Sequence, residues 1–295
     1  LSKTAKGTTM SEQRPSREQI KQQQRADWDS AAAGWRRWWS SFERSAQHVS
    51  DRLIELAAVR PGATVIDLAT GIGEPAVTAA RRVGPSGRVV ALDQSPGMLA
   101  MARERARELG LGNVDFREGD LEAFAVGERS FDAALCRWGL MFVPDLDAAV
   151  RAVRRTLKPG ARFATAVWAA PERVAMIALG ADAMRRLAGL PPRQPDALDP
   201  FRLADISILT RALEGAGFSE VRSEPLEVVF EFASVDQFMQ FRYDVSAPLR
   251  ATLSRCTPEV RAQIERATAE AAAAYCRADG SLSLPNEAIC VGARA

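Results

Sequence analysis

Residues 65–76, Val65-Ile66-Asp67-Leu68-Ala69-Thr70-Gly71-Ile72-Gly73-Glu74-Pro75-Ala76, decide the fold. A short apolar run ends beside an acid, a glycine-bearing loop follows, and the chain then turns toward helix. Gly71 and Gly73 let backbone approach a ligand with no Cβ in the way. Working outward, the spacing predicts strands at Thr64–Leu68, Arg88–Asp93, Val114–Glu118, Phe131–Cys136 and Arg162–Trp168. Helical patterns fill the gaps. Ser95-Pro96 reads as an N-cap with proline at the first helical position, and Met98, Ala102 and Ala106 follow at helix spacing. Asp145 caps another helix, carrying Leu146, Val150 and Val153 and stopped by Lys158-Pro159-Gly160. Strict alternation implies right-handed crossovers and a doubly wound, mostly parallel α/β sheet.

The flanks read differently. Residues 1–24 are polar and are expected to be a disordered tail or an added remnant, with Met10 as the true start. Residues 25–60 are expected to form an N-terminal helical lid. Within it Trp28, Trp35, Trp39 and Phe42 fall on one helical face, and Val49, Leu53 and Leu56 suggest a second short helix. Residues 61–170, which carry the glycine-bearing loop, are expected to form the cofactor-binding core. Residues 171–295 hold the rest of the core, with strands at Leu226–Phe232 and Glu287–Val291. Between those strands a helical cap, about 234–281, is expected to cover the substrate.

Composition excludes several classes. In 295 residues, Lys+Arg 39 against Asp+Glu 37 leaves +2, too balanced for coating nucleic acid or an anionic membrane. No apolar run approaches bilayer length, and the start has no secretory h-region, so a cytoplasmic protein is expected. Cys136, Cys256, Cys276 and Cys290 form no C-x-x-C pair, and His48 is the single histidine. No metal site is expected, and a histidine-dependent hydrolase would have to rest on His48, which reads as a surface or packing residue.

Gly71 to Ala76 satisfies G-x-G-x-x-[G/A], and Asp93 ends the next strand where a carboxylate can accept ribose hydroxyls. Those features suit a dinucleotide or another nucleoside cofactor. Charge separates them. Asp67 and Glu74 flank the loop, Asp93 and Asp120 follow, and the loop has no Lys or Arg, a poor berth for a pyrophosphate. An acid-rich rim suits a ligand with an ammonium and a sulfonium and no phosphate. Neither Tyr243 nor Tyr275 has a lysine four residues on, which counts against a nicotinamide-dependent oxidoreductase.

Val65 to Gly73 resembles the first motif of class I S-adenosylmethionine-dependent methyltransferases, with Ala69 where many members have a glycine. Ala91-Leu92-Asp93, Gly119-Asp120-Leu121, Phe131 to Cys136 and Leu157-Lys158-Pro159-Gly160 resemble their later motifs, in order. The fold implied is Rossmann-like. The tryptophan-rich approach and the helical insertion resemble the small-molecule branch related to ubiquinone and menaquinone C-methyltransferases. The resemblance implies S-adenosylmethionine as cofactor and in-line methyl transfer to a small, partly apolar organic acceptor, without metal. Asp67 and the Ala69, Thr70, Gly71 and Gly73 backbone would hold the methionine part and Asp93 the ribose. Asp120 and the Leu121 N–H would meet the adenine, Met98 would pack on it, and Gln94 and Gly119 would complete the site. Arg137 would meet a carboxylate of cofactor or substrate, or pair with a neighbouring acid. Trp35, Trp38, Trp138, Met141 and Phe238 are expected around the acceptor, and no catalytic base is nominated. The competing reading is a non-catalytic cofactor-binding protein of the same fold.

Overall fold

Five of the expected strands lie side by side: the first, second, fourth and fifth are largely buried on both faces and must be covered by helices on both sides, whereas the third, alternating apolar and charged residues, closes the edge. In the computed structural model, which describes residues 15–194 and 197–295, the sheet has seven strands among those residues. They are β1 (Thr64–Leu68), β2 (Arg88–Asp93), β3 (Val114–Glu118), β4 (Phe131–Arg137), β5 (Leu157–Trp168), β6 (Ser219–Phe232) and β7 (Leu282–Arg294). Their order is β3-β2-β1-β4-β5-β7-β6. The first five run parallel, and β7 is antiparallel to both β5 and β6. Strand order reverses between β1 and β4, so a crevice opens beyond the carboxyl ends of those two strands.

The helices are α1 (Arg17–Leu56), α2 (Ala76–Val83), α3 (Pro96–Glu108), α4 (Leu146–Thr156), α5 (Ala175–Ala178), α6 (Ala181–Leu187), α7 (Ile206–Gly215), α8 (Val235–Val245), α9 (Ala247–Arg255) and α10 (Pro258–Ala273). Ser95 and Asp145 cap α3 and α4 as their sequences imply, accepting from the Met98 and Ala148 amides. The helices α8 to α10 fill the connection between β6 and β7. Among the described residues no helix is long and apolar enough to cross a membrane.

Three local expectations are corrected. Residues 17–24 are helical rather than a disordered tail; residues 1–14 and the Met10 start lie outside the described residues. Ser16 and Gln19 form a reciprocal capping box, and ion pairs from Arg17 to Asp145 and from Lys21 to Asp120, both 2.7 Å, hold this polar turn against the domain. Second, 17–56 is one helix, not two. Phe42, Ala46, Val49 and Leu53 continue one buried stripe, so the half from Trp38 onward belongs to the central core rather than to a separate lid. Third, β6 begins at Ser219 and β7 at Leu282, earlier than their apolar stretches suggest. The first half of β6 is a solvent-facing edge, where polar side chains conceal a strand.

Candidate active site

The loop after β1 is stitched to the end of β2. Thr70 N–H donates to the Leu92 carbonyl (2.9 Å), and Gly71 N–H to Asp93 Oδ2 (2.8 Å). The other Asp93 oxygen accepts from the Ser95 amide (2.9 Å), so this buried carboxylate ties the loop to the start of α3. Asp67, fully buried, accepts from the Ala76 amide at the start of α2 (2.9 Å). Ala69 sits at φ +53°, a left-handed conformation that costs a non-glycine residue roughly 1–2 kcal/mol. Its methyl has room because Gly139 faces it; a Cβ on Gly139 would stand 2.5 Å from the Ala69 Cβ.

The carboxyl ends of β1, β2 and β4 and the inner face of α1 line one cleft. On the loop side it is lined by Ala69, Thr70, Gly71, Asp93, Gln94, Met98, Asp120, Leu121 and Arg137, nine of the expected cofactor residues. Asp67 lies directly behind, while Gly73 and Gly119 do not line it. On the opposite side stand Trp28, Trp35, Trp39 and Phe42, the four residues that share a helical face by spacing, with Trp138 and Phe142 completing the wall. Of the residues expected around the acceptor, Trp35 and Trp138 line this cleft. Trp38, Met141 and Phe238 do not. Trp38 points its Nε1 at Asp244 (2.7 Å), and Met141 and Phe238 are wholly buried in the core.

Charge in the cleft is richer than the loop alone suggests. Arg137 does not reach toward open space. It forms a two-pronged pair with Glu43 of α1, adds Ser50 Oγ (2.9 Å), and the two side chains are only 6% and 9% exposed. Burial raises the Glu43 carboxyl, against the pull of Arg137. Glu74 is paired with Arg105 of α3 (2.9 Å), whose guanidinium lies 3.0 Å from the centre of the Trp39 ring. Lys21 closes the other end on Asp120, the residue expected to meet an adenine. Sequence reasoning did not find Lys21, Glu43 or Arg105. Each comes from a helix whose side-chain direction is set by packing, and only Trp39 carried a signal, through its place in the aromatic stripe.

Burial pushes the Asp67 carboxyl up to about 8 and Asp93 to about 6. Both are raised in the folded state, so their stabilising contribution is complete below the unfolded value near 4. It is lost as pH rises through the folded values. Urea unfolding of Asp67→Asn should therefore lose less stability than the parent between pH 5 and 9. Parallel pH profiles for the two proteins would contradict it.

A nucleoside cofactor with a cationic amino-acid end fits these residues. Asp67 Oδ1 and Thr70 Oγ1 are buried at the loop with no partner in hydrogen-bonding geometry among the described residues, and acids outnumber bases in the lining. Among the described residues no group of three or more His, Cys, Asp or Glu is placed to hold a metal ion. His48 lies on the surface against the Glu227 carbonyl (2.7 Å).

Residues 60–188 match the methyltransferase domain family. A ubiquinone/menaquinone biosynthesis C-methyltransferase from Pseudomonas putida is 37% identical over 136 residues, 46% of this chain and 49% of that one. Its counterpart from Escherichia coli is 40% identical over 111 residues, 37% of this chain and 44% of that one. The chain thus spans about half the length of the curated relatives it matches. Two solved structures share the fold. The YcgJ protein of Bacillus subtilis has a TM-score of 0.55 and 20% identity, covering 84% of this chain and 98% of that one. The [4+2]-cyclase SpnF has a TM-score of 0.58 and 22% identity, covering 95% and 97%. The ordered motifs, the switch-point cleft and the family match agree: residues 60–188 are a class I S-adenosylmethionine-dependent methyltransferase domain.

Proposed function

We propose that the chain transfers the methyl group of S-adenosylmethionine to a small, flat, largely apolar acceptor of the quinone-related class for which its curated relatives are named. One observation carries this reading: the aromatic face of α1 stands across a single cleft from the acid-bearing loops. When bound, S-adenosylmethionine supplies a methyl group on a cationic sulfur. Asp93 would accept the ribose hydroxyls, and Asp120 with the Leu121 N–H would meet the adenine edge, displacing Lys21. Met98 would pack on the ring, Gln94 and Gly119 would border it, and Asp67 with the backbone of Ala69, Thr70, Gly71 and Gly73 would hold the methionine end. Trp28, Trp35, Trp39, Phe42 and Trp138 exclude water and hold a flat acceptor in line with the methyl, positioning worth about 7–11 kcal/mol of barrier. No residue is assigned as a base.

The test uses tritiated methyl-S-adenosylmethionine and dithionite-reduced 1,4-naphthoquinone. Label should enter the ring carbon, and excess EDTA should leave the rate unchanged. Cofactor binding without transfer to this or a panel of reduced benzoquinones would favour a binding protein, and loss of activity in EDTA restored by magnesium would make the enzyme metal-dependent.

The N-terminal half of α1 acts in this reading as a lid. It is held by half-exposed ion pairs, by Asp29 on the start of α3, and by a small apolar cluster of Ala31 and Ala32 against Ile72 and Met98, whereas the later half is in the central core. Hydrogen exchange over residues 17–39 should slow on adding S-adenosylhomocysteine, while residues 46–56 stay protected throughout. Equal protection of both halves with and without ligand would make α1 a fixed wall.

A further inference from the structure

A second cavity, about 320 Å³, lies among the C-terminal helices between α6, α8, α9 and α10. It has no lining residue in common with the cleft. The helix α8 stands between them: Phe241 packs edge-on against Trp35 and Trp38, whereas Met239, Arg242 and Tyr243 line the far side. The walls are apolar, built from Met184, Met239, Leu249, Leu253 and Ile264. Set into them is a half-buried arginine. Arg242 donates Nη1 to the Leu179 carbonyl at the end of α5 (2.6 Å) and lies 5.5 Å from the Phe238 ring, and among the described residues no carboxylate pairs with it. A guanidinium has five N–H donors in a planar fork, so closing α5 uses a small part of its capacity. Burial alone pushes the group down to about 10, a sign of a cation without a compensating anion. The acids of the lining, Asp236 and Glu265, are on exposed residues and do not reach it.

We propose that this cavity binds a monocarboxylate with an aliphatic chain, its head on Arg242 and its chain along the methionine and leucine walls. The planar fork matches a carboxylate. A phosphate dianion would meet one cation and two rim acids. The volume falls within the range of about 300–1,000 Å³ usual for small-molecule sites. The site does not depend on the methyltransferase reading.

Equilibrium dialysis with radiolabelled decanoate, in S-adenosylhomocysteine sufficient to fill the cleft, tests it. Decanoate should bind saturably at one site per chain, and decanol at least tenfold more weakly. Arg242→Met and Met239→Trp should each weaken decanoate at least tenfold, the first by removing the cation and the second by filling the cavity. Circular dichroism melts report folding; if Arg242→Met does not fold, Met239→Trp decides. The proposal is overturned by absence of saturable binding, by decanol matching decanoate, or by variants that bind like the parent. It is equally overturned if decyltrimethylammonium binds more tightly than decanoate, since Asp236 and Glu265 would then define the site.

Discussion

Arg137→Met should lower folding stability by about 3–5 kcal/mol, because it leaves the Glu43 carboxylate buried without its cation. The pair does more than neutralise charge. Glu43 and Ser50 belong to α1 and Arg137 ends β4, so the guanidinium fastens the helix across the carboxyl ends of the strands. Urea unfolding gives the number. Glu43→Leu combined with Arg137→Met should be less damaging than the sum of the single changes, since a buried ion pair replaced by apolar side chains is often near neutral. A loss below about 1 kcal/mol in Arg137→Met would mean that solvent reaches Glu43 and relieves it.

Asp93→Ala should weaken S-adenosylmethionine binding by at least tenfold. A hydrogen bond to a charged group is worth about 1.5–3 kcal/mol, and the carboxylate would meet two ribose hydroxyls. It also holds the Gly71 and Ser95 amides, so its loss loosens the loop on which the methionine end would rest. Calorimetric titration of the variant and the parent measures the change. S-adenosylmethionine and S-adenosylhomocysteine should raise the parent's melting temperature, because each binds the folded state, while NAD and NADP should not. A variant that binds like the parent, with NAD stabilising both, would overturn the cofactor assignment.

Much of the cleft was legible because its backbone is local. The motif from Asp67 to Gly73, the strand end at Asp93 and the segment at Asp120 each declare a strand, a turn and a helix start within a few residues. Parallel pairing then brings those ends together without further instruction. The aromatic stripe Trp28, Trp35, Trp39 and Phe42 was legible for the same reason, being a matter of helical period. Trp38 looked equivalent by composition, but it is one residue from Trp39 and so faces the C-terminal helices, where Asp244 accepts its N–H.

The charges were harder to read. In the sequence the loop after β1 is acidic and free of cations, and that contrast argued for a cationic ligand over a pyrophosphate. The fold brings Arg105, Arg137 and Lys21 to the same place from 3 separate elements, and each finds an acid there. Such pairs join residues as far as 99 positions apart, and no local pattern specifies which cation meets which carboxylate. Local periodicity and turn chemistry therefore determined the alternating elements, the glycine-bearing loop after β1 and the aromatic face. Tertiary packing decided that α1 is one helix rooted in the core, that Arg137 is consumed by Glu43, and that Lys21 caps Asp120. The physical reason is range: a helix face or a tight turn is settled by neighbours in sequence, whereas a buried charge is settled by whatever distant group the folded chain brings within reach to offset its desolvation.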